Sequence, residues 1–154
     1  MKNQRIYIDT SVIGGYFDIE FEKATKVFFA KAQQAKYSIV ISDITESELF
    51  NAPENVRNLL HQFNIPMLET ITLSDEAIDL AEEYIKEQVI GETSRNDCLH
   101  IALATVQNID VLVSWNFKHI VNVKRIRNYN SINVKNGYLV LDIRSPQEVI
   151  DYEE

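Results

Sequence analysis

One cysteine, Cys98, stands among 154 residues; it can close no internal disulfide and build no cysteine zinc cluster. Four glycines and three prolines are too few for a flexible joint. No repeat or low-complexity tract is visible, so a single domain over residues 1–154 is expected, in line with the usual ~100–200 residues per domain. Uninterrupted apolar runs reach only four residues, as in Val27-Phe28-Phe29-Ala30, against the roughly 20 that a membrane-spanning helix requires. No membrane partner is expected. Met1-Lys2-Asn3-Gln4-Arg5 leads into an apolar stretch of three residues, shorter than the core of a signal peptide, and a cytoplasmic protein is the simplest reading. What is present is the balance of an ordinary soluble globule, 45% apolar and 25% charged, which excludes disordered, collagen-like and coiled-coil chains.

Bases are in deficit, 15 against 23 acids for a net charge of −8, which argues against coating nucleic acid by bulk charge. The distribution is uneven. Between Val111 and Leu141 there is no acid at all, while Lys118, Lys124, Arg125, Arg127 and Lys135 supply five bases, leaving 10 bases against 23 acids elsewhere. Such a strip is commonly a solvated surface; the sharper reading is a face for phosphates.

Apolar strands alternate with helical patterns along the chain. Arg5 to Asp9 reads as a strand of β-formers ending on an acid, and Ser38 to Ser42 as a continuous buried strand. Pro66 to Thr70 is an edge strand at best, because proline cannot donate to a ladder. Asp110 to Ser114 is a fourth strand and Tyr138 to Leu141 a fifth. Helical spacing covers Glu22 to Lys36, and a separate helical run follows the second strand through Glu48 and Leu49. Another helix opens at Pro53, a further one at Ser74-Asp75-Glu76 with a cap and two acids that suit the helix dipole. Ser94 to Gln107 is unusually apolar and therefore central. The basic segment after the fourth strand reads as irregular. Ser145-Pro146-Gln147-Glu148 has capping-box spacing, so residues 142–154 are expected to form a C-terminal extension with a short helix. The alternation predicts an α/β fold: a three-layer α/β/α sandwich around a mainly parallel sheet of about five strands. Sites in such sheets form beyond the carboxyl ends of the strands.

Three acids occupy such ends. Asp9 closes the first strand; it caps the next helix or it serves a site. Asp43, Glu46 and Glu48 follow the second strand, where Leu49 and Phe50 can hold Glu48 at the sheet edge. Asp97 falls at the third position of the apolar helix, where the dipole favours a carboxylate. If Asp9, Glu48 and Asp97 meet, their mutual repulsion demands counter-charge, and an all-oxygen cluster suits Mg²⁺ or Mn²⁺. Such ions commonly serve phosphoryl chemistry. Zinc fits less well, since His61, His100 and His119 form no close pair. His100, three residues beyond Asp97, can reach a phosphate or a partner behind the carboxylates, although a satisfied core histidine is the commoner outcome.

In element order, these residues resemble a PIN domain, the metal-dependent ribonuclease fold that includes the VapC-type toxins of toxin–antitoxin pairs. Ile6-Tyr7-Ile8-Asp9-Thr10-Ser11 resembles the opening strand with its first metal-binding Asp. Ser42-Asp43-Ile44-Thr45-Glu46-Ser47-Glu48-Leu49 resembles the second motif, whose Glu-Leu ending places the acidic ligand on Glu48. Asn96-Asp97-Cys98-Leu99-His100-Ile101-Ala102-Leu103-Ala104 resembles the third. The fourth departs: Leu112-Val113-Ser114-Trp115-Asn116-Phe117-Lys118-His119 keeps the Asn and an aromatic but carries Lys118 and His119 where an acid is usual. Asp110 cannot replace it, since it begins a strand whose four residues span roughly 13 Å.

The resemblance implies Mg²⁺- or Mn²⁺-dependent hydrolysis of phosphodiesters in single-stranded or structured RNA. Asp9, Glu48 and Asp97 would hold the metal, directly or through water. Asn116 would complete the site, as a neutral oxygen or by holding a water, and Thr10 or Ser11 would orient the phosphate. Lys118, His119, Lys124, Arg125 and Arg127 would track the RNA backbone, with Trp115 or Phe117 stacking a base; Trp115 as a packing residue is an equal alternative. An antitoxin and a homodimer are the partners the family implies. The missing fourth acid keeps open a second outcome, a PIN-fold module that binds RNA or a protein without cutting.

Overall fold

The computed structural model describes residues 3–87 and 94–152. Met1 and Lys2 of the amino-terminal stretch and Glu153 and Glu154 of the expected C-terminal extension lie outside them. Among the described residues five parallel strands form one sheet in the order β3-β2-β1-β4-β5. The strands are β1 (Arg5–Ile8), β2 (Ser38–Ser42), β3 (Leu68–Ile71), β4 (Val111–Val113) and β5 (Asp142–Arg144). Between them run α1 (Thr10–Gly15), α2 (Glu22–Gln33), α3 (Asp43–Phe50), α4 (Glu54–Gln62), α5 (Asp75–Lys86), α6 (Arg95–Val106) and α7 (Val123–Lys135), with α8 (Pro146–Tyr152) last.

Successive strand residues face opposite sides of a sheet, and the sequence supplies apolar side chains to both. Tyr7, Val40, Leu112 and Ile143 enter the layer of α5, α6 and α7. Ile6, Ile8, Ile39, Ile41, Val111 and Val113 enter the layer of α1, α2, α4 and α8. The expected α/β/α sandwich is thus the observed one. β3 is the edge strand that Pro66 predicted, and Ser74 caps α5 by accepting the Ala77 N–H. Ser145 and Glu148 exchange the two bonds of a capping box at α8. No helix among the described residues is long and apolar enough to cross a membrane.

Two expectations fail. The basic segment is not irregular: Val123–Lys135 is a helix, capped by the Asn122 side chain at the Arg125 N–H. Its inward residues are Tyr129, Ile132 and Asn133, so a buried amide stands where an apolar signal was sought. That amide is held by Tyr84 Oη, Thr105 and Asn130. The fifth strand lies later than Tyr138–Leu141. Asn130 bonds both the N–H and the C=O of Leu141 and withdraws that backbone from the ladder. Leu139 and Val140 are 75% and 66% exposed. Residues 142–144 pair with β4 instead, with Ile143 turned inward.

Two glycines are sterically required. Gly137, with φ +87°, ends α7 in the left-handed conformation that glycine adopts without penalty. Gly15 lies against Trp115, and a β-carbon there would stand 2.7 Å from the indole Cδ1 and Nε1 and 2.9 Å from Thr25 Oγ1. Gly15→Ala is expected to cost about 1–3 kcal/mol through overpacking, seen as a melting temperature lowered by about 3–10 °C in circular dichroism. An unchanged melting curve would show that the indole can yield.

Candidate active site

The carboxyl ends of the three central strands lie together, because Ile8 pairs with Val113 and Tyr7 with Val40. From β1 the chain builds the sheet first toward β2 and β3, then toward β4 and β5, so the crevice between β1 and β4 is where the strand order reverses. Asp9 stands at this point. It occupies the N-cap position of α1 yet makes no capping bond. Only 5% exposed, its Oδ1 accepts Ser11 Oγ at 2.6 Å and its Oδ2 accepts Ser114 Oγ at 2.6 Å. Burial raises its pKa above the ordinary carboxylate value, and Glu48 adds to the rise, while His100 and the two hydroxyls pull it back.

Glu48 projects from α3, half-buried. Its Oε1 accepts Thr10 Oγ1 and meets His100 Nε2, each at 2.7 Å, and its Oε2 faces Asn96 Nδ2 at 3.4 Å. Burial pushes its pKa upward, but the bond and charge interaction with His100, followed by the bonds from Thr10 and Asn96, leave it lowered. Asp97, at the third position of α6, accepts Asn116 Nδ2 at 3.3 Å. Its carboxyl is pushed up to about 6, first by burial and then by the charge of Asp9, with Glu48 adding; His100 and Asn116 oppose this.

Asn116 presents its amide nitrogen, not its oxygen, to the carboxylates. Its Oδ1 accepts the His119 N–H at 2.9 Å, which fixes the amide's orientation, and its own N–H donates to Ser114 Oγ. Thr10 and Ser11, expected to face the phosphate, bind Glu48 and Asp9; Ser11 also accepts the Trp115 N–H. Trp115 is 8% exposed, stacked on Phe21 at 4.3 Å with its Nε1 donating to Thr25. It packs in the wall. Phe117, 49% exposed, rests edge-on against that indole. Lys118 is exposed beside half-buried His119, whose pKa is lowered by burial, then by Lys118 and Arg125. Lys124 and Arg125 lie in the first turn of α7, and Arg127 is exposed further along it.

Two buried residues complete the cluster: His100, for which the sequence allowed a partner behind the carboxylates, and Tyr7, which the sequence did not single out. His100, 1% exposed, places Nε2 on Glu48 and Nδ1 on Tyr7 Oη at 2.5 Å. Tyr7 Oη meets Ser42 Oγ at 2.7 Å, and burial raises the phenol's pKa, keeping it protonated. The readable signal was the three-residue spacing of Asp97 and His100 on one helix face. Tyr7 gave none, since its alternation marks it only as core.

Among the described residues no group of three His, Cys, Asp or Glu stands close enough to hold one ion. A cage of three direct carboxylate ligands is therefore not what this geometry offers. It does fit a hard cation held by two: buried Asp9 and half-buried Asp97 are linked through Ser114 and Asn116, and both are shifted upward, Asp97 partly by Asp9's charge. Mg²⁺ is usually held by one or two carboxylates, with waters and substrate phosphates filling its octahedron.

The same fold occurs in solved structures. VapBC2 from Rickettsia felis, bound to a DNA fragment from their promoter, is 18% identical and covers 92% of this chain and 98% of the matched one, with a TM-score of 0.58. VapC20 of Mycobacterium tuberculosis, described as a sarcin–ricin loop cleaving toxin, is 14% identical over 73% of this chain and 91% of its own, TM-score 0.56. FitAcB from Neisseria gonorrhoeae is 13% identical over 92% and 97%, TM-score 0.56. No curated protein sequence matches significantly. The PIN domain family matches residues 6–119, a span that opens in β1, ends at His119 and takes in Asp9, Glu48, Asp97 and Asn116; the chain belongs to the PIN domain family.

Proposed function

We propose that this protein is a divalent-metal-dependent endoribonuclease of the VapC kind, a cytoplasmic toxin restrained by an antitoxin protein. The observation that carries this reading is the pairing of Asp9 and Asp97 at the carboxyl end of the sheet, linked by hydrogen bonds through Ser114 and Asn116. Asp9 and Asp97 would hold Mg²⁺ or Mn²⁺, and Glu48 would contribute through Oε2, the oxygen less engaged by neighbours. Once bound, the ion supplies neutralisation of the phosphodiester and an acidified water. Ser11 and Ser114 keep Asp9 oriented, and Asn116 N–H steadies Asp97. In the hydrolysis, water adds to phosphorus as the bond to the leaving ribose oxygen breaks.

The basic helix supports RNA as the substrate. Bases in a first helical turn oppose the helix dipole, so Lys124 and Arg125 gain nothing there from the helix itself. At the positive end of the helix, their cationic side chains suit a phosphate. Phe117 is the exposed ring available to an unpaired base. That comparable folds occur in toxin–antitoxin complexes supports an antitoxin partner.

One observation favours a second reading. The position of the usual fourth acid is His119, and the neighbouring amide oxygen is taken up by a backbone N–H, which suits a module that binds RNA without cutting it. Fluorescent single-stranded RNA incubated with Mn²⁺ separates the two. Cleavage by the wild type that falls by at least about 100-fold in Asp9→Asn is the expected result. Retained binding with no cleavage by either protein would establish the non-cutting module.

A further inference from the structure

A continuous buried chain of polar groups runs from β2 to the candidate site: Ser42 Oγ to Tyr7 Oη at 2.7 Å, Tyr7 Oη to His100 Nδ1 at 2.5 Å, and His100 Nε2 to Glu48 Oε1 at 2.7 Å. Its far end is Thr10 Oγ1, also on Glu48 Oε1 at 2.7 Å. Each polar group of the chain has a partner. The Glu48 carboxylate accepts from His100 Nε2, Nδ1 and the Tyr7 hydroxyl share the next bond, and Tyr7 Oη and Ser42 Oγ the one after. Ser42 Oγ also accepts the N–H groups of Ile44 and Thr45. Such satisfaction in a buried setting holds the side chains in place, because turning any of them away strands a buried polar group.

Resting on the metal-dependent reading above, we infer that His100 is a positioning residue. By binding Glu48 Oε1 it fixes the direction of Oε2 and thereby sets the divalent-cation affinity of the site, with Tyr7 locking the imidazole that does so. Histidine here does not touch the ion. Glu48 sits on α3 and can rotate about three side-chain bonds. The two groups on Oε1, Thr10 Oγ1 and His100 Nε2, hold it in one rotamer before any ligand arrives. Outer partners of this kind typically change metal affinity or activity 10–100-fold when removed.

The test is Mn²⁺ binding to the purified full chain without RNA, read by the electron paramagnetic resonance of free Mn²⁺, with thermal melts as a folding control. His100→Leu is expected to weaken binding by about tenfold or more. His100→Gln, whose amide N–H can replace Nε2–H, should recover most of that loss. In a Glu48→Gln background His100→Leu should change affinity by less than about twofold, since the two residues act as one unit. Wild-type affinity in folded His100→Leu, equal losses in the Gln and Leu variants, or full additivity with Glu48→Gln would each overturn the inference.

If His100→Leu does not fold, Tyr7→Phe decides by the same measure: weakened Mn²⁺ binding supports the relay and unchanged binding overturns it. RNA cleavage by the same preparations separates the two levels. A wild type that binds Mn²⁺ but cuts no RNA sinks the nuclease reading and leaves the positioning role intact. A His100→Leu protein that binds Mn²⁺ normally does the reverse. Absence of Mn²⁺ binding by the wild type overturns both.

Discussion

Asp97→Asn is expected to abolish RNA cleavage while making the metal-free protein more stable. The loss of activity follows from removing half of the carboxylate pair proposed to hold the ion, a contribution of several kcal/mol and hence a fall of about 10²–10³-fold or more. The gain in stability follows from linkage. Burial and the charge of Asp9 hold the Asp97 carboxyl at about 6, whereas in the unfolded chain it titrates near 3.9. The folded state therefore binds this proton more tightly. Below about pH 4 both states are protonated and no penalty exists. Between about pH 4 and 6 stability falls as pH rises, and above about 6 the whole penalty is in place.

Asparagine removes the charge and can still accept from Asn116 through its amide oxygen. It forfeits the helix-dipole interaction at the third position of α6, worth about 0.3–1 kcal/mol. A net gain of about 2 kcal/mol remains, or about 4–8 °C for a chain of this size. Melting curves in a chelator at pH 7.5 and pH 4.5 should show the gain at the higher pH only. Added Mn²⁺ at pH 7.5 should raise the melting temperature of the wild type and leave the variant unmoved. A variant less stable than wild type at pH 7.5, or a gain of equal size at both values, would show that Asp97 is not under electrostatic strain.

Trp115→Ala and Phe117→Ala are expected to fail in opposite ways, although the two rings are in contact. Trp115 is buried, stacked on Phe21 and bonded to Thr25, and its backbone N–H holds Ser11, which in turn holds Asp9. Truncation leaves a cavity beside Gly15 and costs about 3–5 kcal/mol. That is a large part of the ~5–15 kcal/mol by which domains are stable. Phe117 is half-exposed, so its truncation should move stability by less than about 1 kcal/mol. RNA affinity should fall by about 1–3 kcal/mol, the value of one stacked base. Urea denaturation and fluorescence-anisotropy titration with single-stranded RNA measure the two effects. A stable Trp115→Ala protein with impaired RNA binding would reverse the roles.

The site was legible where chemistry follows local pattern. Asp9 ends a strand, Asp97 takes the third place of a helix, and Glu48 lies one turn into the helix after β2, and each position could be read from neighbours a few residues away. The rest depends on partners far along the chain. Ser114 reaches Asp9 across 105 residues and His100 reaches Glu48 across 52. No window of sequence contains both members of either pair. α7 escaped notice for a related reason: the amide of Asn133 is tolerable in the interior only because Tyr84 and Thr105 come from two other helices to satisfy it.

The alternation of strands and helices up to β4, the edge character of β3, the caps at Ser74 and Ser145 and the placing of three acids after strand ends were therefore determined by the amino-acid sequence itself. These depend on side-chain periodicity, proline's missing donor and short-range capping, all of which act over a few residues. Tertiary structure alone decided which carboxylate oxygens are engaged, that Asn116 turns its nitrogen inward, that Trp115 packs while Phe117 faces solvent, and that Tyr7 and His100 stand behind Glu48. Those outcomes are settled by hydrogen-bond satisfaction and burial among residues that meet only after the sheet has formed.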